Sequence, residues 1–127
     1  MQAVFKGSWD EWAAHGGLPA VMPSLDFVEA PAGTPLPYGV YWPVTQMRTD
    51  TFDSNSEEYL IQIDSYAESW DATGILAMQA QVHACFDWCA LTVAGWNHIY
   101  MRRVSTDRQR EDDCWHGIDV YQLEVQS

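Results

Sequence analysis

The sequence predicts an α+β fold: a mostly antiparallel β-sheet of about four to five strands with two helices packed on one face. Three observations carry this. The segment Tyr59 to Tyr66 alternates cleanly, with Tyr59, Ile61, Ile63 and Ser65 on one side and Leu60, Gln62, Asp64 and Tyr66 on the other, which is the period of a strand. Ile75, Gln79, Val82, Phe86 and Cys89 recur at helical spacing and form a stripe, widened by Leu76, Met78 and Cys85. The elements follow in the order helix, strand, strand, helix, strand, strand, which suits an antiparallel sheet with its helices on one side.

Taken in order, Ser8-Trp9-Asp10-Glu11 has the form of a capping box, a hydroxyl followed three residues later by a carboxylate. A short helix from Trp9 to His15 follows, stopped by Gly16-Gly17, with His15 placed as a cation at its C-terminal end. Val21 to Phe27, bounded by Pro19 and Pro23, reads as weakly extended. Ala30 to Pro37 is a loop in which Pro37 keeps Leu36 out of the helical region. Tyr38 to Met47 is rich in aromatic and β-branched residues and reads as a strand; Pro43 cannot donate to a ladder and signals a bulge or an edge. A polar turn from Asp50 to Ser56 separates it from the Tyr59–Tyr66 strand.

Ser69 or Asp71 is placed to cap the next helix, which is expected to reach Ala90, with Gly74 weakening its first turns by about 1 kcal/mol against Ala. Gly95 to Thr106 alternates Trp96, His98, Tyr100 and Arg102 against Asn97, Ile99, Met101 and Arg103. Trp115 to Val125 alternates as well, and a charged loop between them makes a long hairpin. The outer sheet face still carries aromatic residues, so a second cover is expected, and a neighbouring subunit is the natural one.

Composition narrows the function. At 127 residues, 47% of them apolar and seven of them Trp, the chain is long enough for one domain with a real core. No apolar run approaches the roughly 20 residues that cross a bilayer. The N-terminus lacks the basic region and continuous apolar core of a signal peptide, so the chain reads as soluble and made in the cytosol. A net charge of −12 argues against nucleic-acid binding by phosphate neutralisation. Acidity also aids solubility by itself. Yet four of the six Lys and Arg residues, Arg102, Arg103, Arg108 and Arg110, crowd into one stretch, followed at once by Glu111, Asp112 and Asp113. Such a block is either a solvated loop or a docking element.

Catalytic patterns are missing. Cys85, Cys89 and Cys114 make an odd count without a signal peptide, which argues against a disulfide framework. His83, Cys85, Cys89, His98, Cys114 and His116 are possible metal ligands, but His83 and Cys85 point to different sides of a helix and Cys114 with His116 supplies only two donors, so no metal site is expected. There is no Gly-x-Ser-x-Gly elbow and no phosphate-cradling loop. Glu57-Glu58 and Asp112-Asp113 lie in polar segments and read as solvated. Of the Trp residues, Trp9, Trp12 and Trp88 sit on helices and are expected to fill core, while Trp42, Trp96 and Trp115 sit on strands and serve core or interface.

One order of motifs goes further. Leu36-Pro37-Tyr38-Gly39-Val40-Tyr41, a polar gap, then Gln62-Ile63-Asp64-Ser65-Tyr66, a helix start at Glu68-Ser69-Trp70-Asp71 and a closing Ile118-Asp119-Val120-Tyr121-Gln122-Leu123-Glu124-Val125 strand stand in sequence. This resembles the tail terminator (tail completion) proteins of long-tailed bacteriophages, from about residue 31 to residue 125. In that family a PYVVY-like strand, a loop, a VQIDVYA-like strand and a helix follow in that order. The chain departs from the pattern at its N-terminus, where the family often has a longer helix.

The resemblance implies a single domain over residues 1–127 that forms a ring, typically a hexamer, at the head-proximal end of the tail. Such a ring caps the finished tail tube, stops further tube subunits from adding, and offers a surface to the head-closure or neck protein, without a cofactor or a membrane. DNA would pass an acidic lumen without specific binding. The protein would be found in the virion and, during assembly, in the host cytoplasm. Arg102, Arg103, Arg108, Arg110, Asp112 and Asp113, with Trp96 and Trp115, are the candidate interface residues. Two other readings stand beside it: a head-tail connector or neck adaptor on the head side of the joint, and a small acidic enzyme or ligand-binding module.

Overall fold

The computed structural model describes residues 2–48, 56–68, 72–89, 97–98, 101–111 and 113–126. Trp96 and Asp112 of the candidate interface lie outside these residues, as do the expected cap residues Ser69 and Asp71 and most of the polar turn after Asp50. The described chain is α+β, as the patterning predicts. Its elements are α1 (Gln2–Ala14), α2 (Leu18–Val21), β1 (Leu25–Phe27), β2 (Tyr38–Arg48), β3 (Ser56–Glu68), α3 (Thr73–Phe86), β4 (Asn97–His98), β5 (Arg102–Arg110) and β6 (Cys114–Gln126). The sheet has six strands, two of them very short, and a third helix of a single turn joins the two expected ones.

β3 is the centre of the sheet. It pairs antiparallel with β2 on one side and β6 on the other, so that Tyr41, Ile63 and Asp119 lie abreast, as do Gly39, Ser65 and Gly117. The β2 ladder shifts register between Pro43 and Thr45, the irregularity that a proline without an N–H imposes. β1 adds to the far side of β2, and it runs parallel. β4 and β5 share the other edge of β6, with β5 forming a hairpin with it from Arg102–Gln122 to Arg110–Trp115.

All three helices sit on one face. α3 packs across β3 and β6, and α1 and α2 pack beside it toward β1. Ile75, Met78, Val82, Cys85 and Phe86 of α3 meet Tyr59, Ile61, Ile63 and Ala67 of β3 and Tyr121 and Leu123 of β6, all buried. Each such side chain taken from water stabilises by about 1.5–3 kcal/mol. Gly39 of β2 lets Met22 pack directly on the strand, because a β-carbon there would lie 2.3 Å from Met22 Sδ.

Several local expectations change. The chain before Gly16 is helical from Gln2, so Ser8 is not a cap but a buried residue inside α1. An amphipathic helix is set by what its face packs against, and a capping pattern within it carries no weight. His15 Nδ1 accepts a hydrogen bond from the Leu18 amide at 2.9 Å, so the ring tethers the start of α2. Leu18 to Val21 coils once, with Pro19 in its first turn, and only Leu25–Phe27 of the expected extended segment is a strand. α3 ends at Phe86, short of Ala90, because Trp88 takes a left-handed φ of 57° and its N–H turns to Met101 O at 2.9 Å. Leu76 is 46% exposed and leaves the stripe that it was expected to widen. Trp12 fills core, its Nε1 donating to Met22 O, whereas Trp9 and Trp88 stand exposed.

Candidate assembly surfaces

The charged stretch is a strand and not a loop. β5 runs through all four arginines to Arg110, and β6 begins at Cys114. A charge run reads as a loop because charge solvates, but an edge strand exposes one side to water and accepts charge there. Alternation then divides the arginines. Arg103 and Arg108 lie on the helix face: Arg103 pairs with Asp87 at 3.3 Å and lies against the His83 ring, and Arg108 Nε donates to Gln79 Oε1 at 2.8 Å. Arg102 is exposed on the opposite face and meets the Gln122 amide oxygen, and Arg110 is exposed at the hairpin end. Asp113 is exposed in the turn. Trp115 packs half-buried against the core opposite Arg110, and its Nε1 has no acceptor among the described residues.

Around Arg103 and Arg108 lies a polar cluster between α3 and the hairpin. Its centre is Asp119, whose side chain is fully buried. Asp119 accepts from Thr106 Oγ1 at 2.9 Å and from Gln79 Nε2 at 3.4 Å, and it meets His83 Nε2 at 2.8 Å. Gln79 also donates to Asp107 O at 2.9 Å, and Tyr121 Oη donates to Asp87 at 2.6 Å. Gly117 makes this packing possible, since a β-carbon there would lie 2.7 Å from Gln79 Nε2. The signal was present in the sequence as two polar residues on faces that must be buried: Gln79 within the apolar stripe and Asp119 in phase with Tyr121 and Leu123. The cluster fixes the hairpin against α3 and so sets the aim of the β5 edge.

The opposite sheet face, free of helices among the described residues, carries a second network. Tyr38, Tyr66 and His116 stack in a row, with centroids 4.9 Å and 4.4 Å apart. His116 bridges Asp64 and Glu111 at 2.9 Å each, and Asp64 also accepts from Trp42 Nε1 and Gln62 Nε2 at 2.8 Å. Burial alone would raise the Asp64 carboxyl, but the bonds from His116, Gln62 and Trp42 outweigh it and hold the group below its ordinary range. The bond to Asp64 likewise raises His116, against the opposing pull of burial.

The sign of the pH effect follows. His116 contributes stability fully below its unfolded value of 6.5 and loses it as pH rises through its higher folded value. Asp64 contributes above its unfolded value of 3.8 and loses it as pH falls through its lower folded value. The pair therefore stabilises most between those two unfolded values. His116→Gln should cost about 1.5–3 kcal/mol at pH 5.5 and less at pH 9. Urea unfolding at the two pH values checks this, and equal losses would show that the pair is not the source.

A third surface is the outward side of α3. Leu76, Ala80 and Ala84 recur every four residues and are all exposed, Trp88 stands exposed just beyond the end of the helix, and the helix carries no Asp, Glu, Lys or Arg. At its N-terminal end it borders an open, mostly apolar recess of about 260 Å³, lined by Val21, Pro37, Ala67, Gly74, Ala77 and Met78 with Glu68 as its one charged residue. An uncharged exposed helix on a chain of net charge −12 is suited to cover by another protein.

Metal and nucleophile chemistry find little to work with here. His83 and His116 lie on opposite faces of the sheet, and among the described residues no group of three or more His, Cys, Asp or Glu could hold an ion. Burial pushes the Cys85 and Cys89 thiols up to about 12 and Cys114 to about 11, which leaves little thiolate near neutral pH. No described helix is long and apolar enough to cross a membrane.

The whole fold has a solved counterpart. A chain from the virion of the native gene transfer agent (GTA) particle superposes with a TM-score of 0.82 over 94% of this chain and 92% of that one, at 14% identity. The two chains share a fold. A second solved chain matches at TM-score 0.64 and 12% identity, covering 99% of this chain and 94% of that one. No protein-family model and no curated protein sequence matches the chain.

Proposed function

We propose that this protein is a structural component of a phage or phage-like virion, a ring, hexameric as in the family it resembles, that caps the end of the tail tube. The observation that carries the reading is the superposition over nearly the full chain on a subunit of a gene transfer agent virion. The tail-terminator motifs agree with it, since Tyr38–Tyr41 and Gln62–Tyr66 form adjacent central strands and Ile118–Val125 pairs beside them. In this role the ring occupies the docking face of the last tube subunit, withholds such a face on its other side, and presents that side to the neck. The uncharged face of α3 suits contact with protein, and the acidity of the remainder suits a lumen through which DNA slides.

The test is addition of purified protein to tail tubes growing in vitro, followed by electron microscopy. A tail terminator halts elongation and appears as a collar at one end of every tube. Tubes that continue to grow, with the protein bound instead to portal-bearing heads, would assign it to the head side of the joint.

A further inference from the structure

We propose that neighbouring copies of this chain meet edge to edge, the arginine edge at β5 of one copy against the acidic edge at β1 of the next. The inference rests on the ring reading and specifies which surfaces close the ring. The strand order places β1 and β5 at opposite ends of the sheet, each paired on one side only among the described residues. Their charges are opposite. β5 carries four of the six cations of the chain against one carboxylate, Asp107. β1 and the residues just after it carry Asp26 and Glu29, and no Lys or Arg stands between Lys6 and Arg48.

Internal bonds decide which charges are available. Arg103 and Arg108 are committed to Asp87, His83 and Gln79 inside the subunit. Arg102 meets only a neutral amide and Arg110 meets no carboxylate among the described residues, and both are exposed. On the other edge Glu29 is exposed and Asp26 is half-exposed, accepting a hydrogen bond from Ser24 Oγ. Each edge also shows apolar surface: Phe27 and Val28 are 46% and 56% exposed on one, and Val104 is 43% exposed at the β5 bulge on the other. β1 is three residues long, so side chains and not a main-chain ladder must carry the contact.

Charge also sets the symmetry. Copies of a chain at −12 repel one another except where opposite local charges face, and an arginine edge cannot face its own duplicate. That disfavours a two-fold dimer through either edge and favours a head-to-tail contact, the kind that closes a ring.

The experiment uses two double variants of the full chain, Arg102→Glu with Arg110→Glu, and Asp26→Arg with Glu29→Arg. None of these residues belongs to the buried cluster, so melting should match the wild type. Each variant alone should self-associate about tenfold more weakly or worse, because two exposed pairs turn from attraction to repulsion. An equimolar mixture of the two should recover assembly, since every contact in an alternating ring is then complementary. Native mass spectrometry and sedimentation read the species, and collars on tail tubes are scored in parallel. Variants that assemble like the wild type, or a mixture that does not recover, overturn the edge contact even if wild-type collars form. Wild-type protein that forms neither rings nor collars overturns the ring reading itself.

Discussion

Asp119→Ala is expected to cost about 3–5 kcal/mol of folding stability, the range found when one member of a buried charged cluster is removed. The size follows from position. Asp119 has no exposed side-chain surface, and Thr106, Gln79 and His83 all converge on it. Removing the acceptor takes a partner from three groups at once, among them the buried Gln79, and opens a cavity beside them. Asp119→Asn keeps the volume and one acceptor oxygen, so its loss should be clearly smaller. Urea denaturation of both variants separates the effects. An Ala variant within about 0.5 kcal/mol of wild type would show that the cluster only fills space.

Phe86→Ala is expected to be about as costly, again about 3–5 kcal/mol, but through packing alone. Its ring is 1% exposed and meets Tyr121 edge-on at 6.0 Å where α3 crosses β6. The site cannot easily collapse around the missing ring, because Asp87 next to it is held to Tyr121 and Arg103. Phe86→Leu should recover more than half of the loss, because it restores most of the apolar volume that Ala removes. Calorimetry or urea unfolding checks both. A loss below about 1 kcal/mol for the Ala variant would mean that α3 shifts to fill the space.

Elements whose partners are near in sequence, or whose pattern is strongly periodic, were legible from the residues. β3 alternates because one of its faces is buried beneath α3, and the α3 stripe repeats because that helix lies on β3. Pro43 marked its own bulge, since a missing N–H is a local fact. β1 was not legible: three residues between prolines gain their strand character only from β2, and nothing within Leu25–Phe27 indicates a parallel partner. β5 was legible only to Thr106: the local composition of residues 107–110 speaks for solvent, while pairing with β6 prevails.

The candidate interface was half legible. The crowding of arginines was visible, but its division was not, since the partners that hold Arg103 and Arg108 lie on a helix some twenty to thirty residues earlier in the chain. Leu76 illustrates a related difficulty. Apolar side chains on an outward helix face look like core until the packing is known.

The place of β3 has a consequence for how the chain folds. Its partner β6 is distant, with Glu68 opposite Cys114 and Ser56 opposite Gln126, and β6 follows every other element in chain order. The β2–β3 and β5–β6 hairpins are local and close over short loops at small entropic cost. Joining them must wait until both exist, and that one long-range step brings the two halves of the sheet under α3. High contact order of this kind slows folding, and until the step is complete both sides of the sheet's centre are open strand edges. If the subunits gather on a tube end as proposed, folding has to finish before gathering begins.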